Sequence, residues 1–152
     1  GFMRAKYGKR CGVLLVGYSF GGAAIWAFLA ACGGARPETC SGGSGLLGCV
    51  ALSGALKGPG VDTVNLFSAL RYLQESHAPL LVIHGSDDDN VAITAAQKLF
   101  KQAFSLKSLC VLEGADHNLR ECRWRDAVVE VCSQWLSHIA ATRGASSASR
   151  AR

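Results

Sequence analysis

The sequence predicts an α/β protein, a three-layer sandwich built on a parallel sheet of about four strands with helices on both faces. Four short apolar runs carry that expectation: residues 11–16, 48–53, 80–84 and 108–113. They are unbroken rather than alternating in polarity, as strands covered on both faces are. Between and after them, apolar residues recur at three- and four-residue steps, the period of a helix with one buried face. Strand and helix therefore alternate.

Residues 1–10 read as the tail of a polar helix or a lead-in loop, and the first strand begins directly after them at Cys11. It runs into Gly17-Tyr18-Ser19-Phe20-Gly21-Gly22 and then an almost wholly apolar helix from Ala23 to Ala31. Cys32 to Gly45, rich in glycine and serine with Pro37, reads as a surface loop. After the second strand, Gly58-Pro59-Gly60 turns the chain, and Asp62 or Thr63 caps a helix with Leu66, Leu70 and Leu73 on one face. His77 and Pro79 end that helix.

Leu80 to His84 is the clearest strand and leads into Gly85-Ser86-Asp87-Asp88-Asp89-Asn90. Thr94 opens the next helix, whose expected apolar face is Ala96, Leu99, Phe100, Ala103 and Phe104. The fourth strand ends at Gly114-Ala115-Asp116-His117-Asn118. A last helix spans about 123–139, and from Thr142 the small polar residues read as a frayed tail. The expected organisation is one domain over 1–141 and a disordered tail over 142–152.

The net charge of +5 is concentrated at the ends. Setting aside Arg4, Lys6, Lys9, Arg10, Arg143, Arg150 and Arg152 leaves 9 basic residues against 11 acidic ones, so the body of the chain has no nucleic-acid footprint. No apolar run reaches the roughly 18 residues that span a bilayer. With no signal-peptide pattern at the start, the expected compartment is the cytoplasm. Seven cysteines, without a C-x-x-C or paired His/Cys spacing, suggest small hydrophobes rather than disulfides or a metal site. No metal and no cofactor are expected.

The chemistry concentrates at Ser19. A G-x-S-x-G string arises by chance about 0.2 times in a chain of this length and composition, so the string alone is weak. Its setting raises it, because an apolar strand precedes it and an apolar helix follows it. Glycines at 17 and 21 are expected to relieve crowding around a serine held on a tight turn. The helix then aims its first amides at charge developing beside Ser19, so the Phe20 N–H is the expected oxyanion donor. Tyr18 and Phe20 flank the serine, and Tyr18 is the expected substrate contact.

In a parallel sheet, ligand-facing residues lie just past the carboxyl ends of the strands. That rule selects Ser19, the acidic run at 87–89 and His117, all on one edge. A neutral serine needs a base, and the base needs a carboxylate to hold its tautomer. The chain supplies the three types in the order Ser, Asp, His. Spacing alone does not choose among Asp87, Asp88 and Asp89. His84, at the end of a buried strand, reads as a hydrogen-bonded structural residue, and His77 and His138 as surface residues.

The strings G-Y-S-F-G-G, V-I-H-G-S-D-D-D-N-V and E-G-A-D-H-N, in this order, resemble the C-terminal half of the α/β-hydrolases, in particular the dienelactone hydrolase and serine aminopeptidase-like group. The resemblance implies a partial α/β-hydrolase fold with Ser19 as nucleophile, Asp88 as the acid of an H-G-x-x-D-x-x-V string and His117 as the base of a G-x-x-H turn. It implies a serine hydrolase cleaving an ester, thioester or amide in a small-molecule or peptide substrate through an acyl-enzyme.

The departures matter too. Complete members have about eight strands, and the strands before the nucleophile turn, whose loop donates a second oxyanion N–H, have no counterpart here. This leaves the 11–16 strand with an exposed apolar edge through which the chain is expected to associate. With only about 54–78 in place of a cap domain, the site is expected to be open. The alternative reading is a truncated, non-catalytic remnant or partner-binding module.

Overall fold

The computed structural model describes residues 12–34, 45–56, 58, 63–104 and 106–149. The lead-in at 1–10, Cys11, Cys40, most of the glycine-rich loop, and Pro59, Gly60 and Asp62 of the expected turn and cap lie outside them. Contacts divide the chain into two compact units, residues 1–117 and 118–152.

The first unit contains strands β1 (Val13–Tyr18), β2 (Leu46–Leu52), β3 (Leu80–Gly85) and β4 (Lys107–Leu112) and helices α1 (Phe20–Gly34), α2 (Thr63–Glu75) and α3 (Ile93–Gln102). The strands form one sheet in the order β1-β2-β3-β4, with every neighbouring pair parallel. Right-handed crossovers that always step in the same direction carry their helices to the same face. The core agrees with that rule: Trp26 and Leu29 of α1, Leu66, Ala69, Leu70 and Leu73 of α2, and Ala96 and Leu99 of α3 pack in one cluster with Cys49, Ala51, Leu80 and Val82 of the sheet. Val50, Leu81 and Ile83 point the other way and are buried as well, so residues 48–52 of β2 and 80–83 of β3 are unbroken apolar runs.

The element boundaries differ from the sequence expectation for local reasons. β1 continues to Tyr18 because Gly17 and Tyr18 stay in the ladder opposite Ala51 and Leu52. α1 then starts at Phe20, since the turn consumes one residue. His77, in the left-handed region at φ 49°, ends α2 in a Schellman motif in which the Ala78 amide donates to the Leu73 carbonyl. α3 is capped by Ala92 without a side-chain bond, so the expected role of Thr94 as its opening residue is not the one observed. The same helix stops at Gln102, and Ala103 is extended, which leaves Phe104 off the helix and exposed.

β1 lies at an edge of the sheet, with Val13 and Val16 exposed. Cys32 and Cys49 are buried, Cys110 and Cys132 are half-buried and Cys122 is exposed. Burial pushes the Cys49 thiol up to about 12, so it packs as a small apolar group.

The second unit is built on α4 (Cys122–Ser149). This helix runs on past Thr142, where the sequence suggested a frayed tail, and the division expected near residue 141 falls inside it. No helix among the described residues is long and apolar enough to cross a membrane. None of the described residues form a group of three or more His, Cys, Asp or Glu able to hold a metal ion.

Candidate active site

Ser19 occupies the single residue between β1 and α1, in the left-handed region at φ 52°. That conformation costs a non-glycine residue about 1–2 kcal/mol and persists only where the surroundings impose it. Here they do. The Ser19 amide donates to the Leu52 carbonyl at 3.0 Å, and its own carbonyl accepts from Gly22 at 3.0 Å and Ala55 at 3.1 Å.

The expected relief of crowding holds at Gly17 but not at Gly21. A Cβ on Gly17 would lie 2.5 Å from the Gly21 carbonyl oxygen and 2.6 Å from Ile25 Cδ1. Gly21 itself faces open space, so it relieves no contact of its own. The second position that needs a bare Cα is Gly22, where a Cβ would come within 2.9 Å of Gly54 Cα in the loop after β2. Phe20 is the first residue of α1, and an amide in a helix's first turn has no intrahelical acceptor. It is thus free of the helix's own ladder.

The loops after β3 and β4 are latched together. Ser86 donates its amide to Leu112 at 3.0 Å, Asp87 donates to the Ala115 carbonyl at 3.1 Å, and the Gly114 amide donates to Ser86 Oγ at 2.7 Å. Gly85 lies under the Ala115 carbonyl so closely that no side chain fits there. Sequence reasoning missed this role of Gly85 and Ser86, although both stand inside the H-G-S-D string.

Of the three aspartates, the loop turns Asp88 inward. Its side chain is fully buried, and its Oδ1 accepts the amides of Asn90 at 3.0 Å and Val91 at 2.8 Å. His117 Nδ1 lies 2.9 Å from Asp88 Oδ1 and 2.8 Å from Oδ2. Asp87 and Asp89 are exposed, and Asp87 accepts instead from Ser86 Oγ at 2.8 Å. Burial alone pushes the Asp88 carboxyl up. The hydrogen bonds from Val91, His117 and Asn90 outweigh it, and the group lies below the usual carboxylate range.

An ionised carboxylate only accepts, so Nδ1 of His117 carries the proton. Nε2 is left facing Ser19 Oγ at 2.9 Å, positioned to accept from the hydroxyl. Serine, imidazole and carboxylate therefore form one continuous chain of hydrogen bonds. His84 is buried behind it, donating Nε2–H to the Val91 carbonyl at 2.7 Å, with the same atom 3.3 Å from Asp88 Oδ2. His77 and His138 are exposed, as surface residues are. Tyr18, expected at the substrate side, donates its hydroxyl to the His117 carbonyl at 2.8 Å, and its ring stacks on the imidazole.

The sequence matches no protein-family model and no curated protein. Solved structures do resemble it. The esterase domain of a Rhodothermus marinus protein superposes with a TM-score of 0.66 at 27% identity, covering 88% of this chain and 62% of that one. Dienelactone hydrolase from Anabaena variabilis gives 0.57 at 28%, covering 83% of this chain and 49% of that one. The fold is that of the α/β-hydrolases.

A monoacylglycerol lipase from Paleococcus ferrophilus, 17% identical with a TM-score of 0.58, shares this α/β-hydrolase fold over 84% of the present chain and 69% of its own. The chain spans about half to three-fifths of the length of the first two α/β-hydrolases. All three of these neighbours are hydrolases by description, and in this chain the described part of the α/β-hydrolase fold includes the strand-turn-helix on which Ser19 stands.

Proposed function

We propose that the chain carries the triad of a serine hydrolase that cleaves an ester, thioester or amide bond through an acyl-enzyme. The single observation that supports this reading most is His117, hydrogen-bonded through Nε2 to Ser19 Oγ at 2.9 Å and through Nδ1 to Asp88 at 2.8 Å. In the proposed reaction, Ser19 Oγ attacks the substrate carbonyl carbon as His117 Nε2 takes the hydroxyl proton. Asp88 keeps the proton on Nδ1 and balances the imidazolium charge.

The oxyanion that forms accepts from the Phe20 N–H at the start of α1, where the helix dipole also favours negative charge. When the tetrahedral intermediate collapses, the bond to the leaving group breaks and His117 gives that group the proton. Water then repeats the sequence: His117 removes its proton, the acyl ester to Ser19 breaks, and the acid is released with Ser19 reprotonated. No cofactor enters this reading, and the substrate is a small molecule or peptide end.

A second reading is supported by the length comparison. In this reading the chain, which covers 62% and 49% of its neighbours' lengths, serves as a non-catalytic remnant or binding module. The exposed edge of β1 is where further strands would pair, and they would supply a second oxyanion donor. Absence of one donor costs on the order of 10²- to 10³-fold in turnover.

A fluorophosphonate probe separates the two readings. Labelling of folded protein at Ser19, abolished in Ser19→Ala, is the result expected for the hydrolase. Folded protein that is not labelled points to the remnant.

A further inference from the structure

In the sheet order β1-β2-β3-β4, Ser19 and His117 follow the two edge strands, with β2 and β3 between them. Three strand spacings separate those edges, roughly 14 Å. The 113–117 loop must therefore reach back across the top of the sheet to bring the imidazole to the serine. Asp88, at the end of β3, holds Nδ1 at one point along that span. A second anchor stands at the far end, on β1 itself.

Resting on the hydrolase reading above, we infer that Tyr18 is a positioning residue that fixes His117 over Ser19. Its hydroxyl donates to the His117 backbone carbonyl at 2.8 Å, across 99 residues of chain. Its ring lies against the imidazole with centroids 5.5 Å apart and planes 30° from parallel. The two contacts grip different parts of the same residue, one the backbone and one the ring. Torsion of the imidazole about Asp88 is blocked by the ring, and withdrawal of the loop is blocked by the hydroxyl.

Sequence adjacency gives this arrangement its consequence. Tyr18 immediately precedes Ser19, so a shift of the nucleophile turn carries the clamp with it and preserves the Nε2 to Oγ distance. Burial, with the charges of Asp88 and Asp116 nearby, pushes the Tyr18 hydroxyl above its ordinary range, so it stays a donor across neutral pH. When His117 takes the serine proton, the face of the tyrosine ring also lies where an aromatic quadrupole favours a cation.

The test uses the full chain with Tyr18→Phe, which keeps the ring and loses the hydroxyl, and Tyr18→Leu, which loses both. Hydrolysis of p-nitrophenyl butyrate should show kcat falling about 10-fold in the first and about 100-fold in the second, with KM within about 2-fold, as a misplaced base predicts. A rise in KM at unchanged kcat would overturn the inference, because it makes Tyr18 a substrate contact.

Imidazole ¹⁵N–¹H spectra supply a readout that needs no turnover. The His117 ring should give one sharp Nδ1–H tautomer in the parent and an exchange-broadened signal in Tyr18→Leu, with Tyr18→Phe between them. Identical His117 spectra in all three proteins overturn the clamp. A parent protein that neither takes the fluorophosphonate label nor hydrolyses ester sinks the hydrolase reading alone, and the spectra still decide the role of Tyr18.

Discussion

Gly17 and Gly21 face each other across the turn that carries Ser19, yet only Gly17 is crowded. A methyl group on Gly17 would lie 2.5 Å from the Gly21 carbonyl oxygen, while one on Gly21 would meet nothing within 4 Å. Gly17→Ala is therefore expected to destabilise the fold by about 1–3 kcal/mol through overpacking and to abolish probe labelling of Ser19. Gly21→Ala should fold at least as well as the parent, gaining up to about 1 kcal/mol from helix propensity. Urea unfolding of both variants checks the asymmetry, and equal losses would contradict it.

The same logic applies between Gly85 and Ala115. Any side chain at 85 must displace the Ala115 carbonyl, and His117 sits two residues beyond it. Gly85→Ala should cost about 1–3 kcal/mol and reduce hydrolysis by more than the folded fraction accounts for. Activity per folded molecule, measured beside the unfolding curve, tests this. A variant with full specific activity would show that the loop absorbs the displacement.

Asp88→Asn preserves the shape of the carboxylate and its acceptance of the Asn90 and Val91 amides through the remaining oxygen. What it removes is the charge that holds the proton on His117 Nδ1. kcat should fall on the order of 10⁴-fold with KM little changed. The corresponding changes at the exposed Asp87 and Asp89 should leave kcat within about 2-fold, as surface substitutions usually do. Steady-state kinetics on the three asparagine variants would reveal a misassigned acid at once.

Acid should weaken the protein through Asp88. Its folded carboxyl lies below the ordinary range, so the folded state binds its proton less readily than the unfolded state does. The stabilisation is then fully present above the unfolded carboxylate pKa of about 4 and is lost as pH falls through the lower folded value. Unfolding free energies at pH 7, 4 and 2.5 should drop more steeply for the parent than for Asp88→Asn. Parallel curves would mean that Asp88 carries no such linkage.

Much of this arrangement is written in local pattern. Unbroken apolar runs such as Leu80 to Ile83 stay inside a sheet because either face meets apolar surface, and that identifies a parallel α/β fold without coordinates. G-Y-S-F-G-G between a strand and a helix marks Ser19 as the turn residue, since both neighbouring elements are local in the chain. Ends of elements are less legible. Gly17 and Tyr18 look like the start of a turn, yet their ladder partners Ala51 and Leu52, more than thirty residues away, keep them in β1.

By itself the sequence determined the fold class, the strand-turn-helix under Ser19 and the types and order of the three side chains of the candidate site. Only tertiary structure decided which of three adjacent aspartates turns inward, which glycines are crowded, and that Tyr18 reaches His117. The physical reason is the same in each case. Neighbouring aspartates have identical intrinsic chemistry, and an atom's contacts are set by the strand and loop packed against it, which the intervening chain does not encode locally. Asp88 differs from Asp87 and Asp89 because the amides of Asn90 and Val91 and the ring of His117 converge on it and not on them.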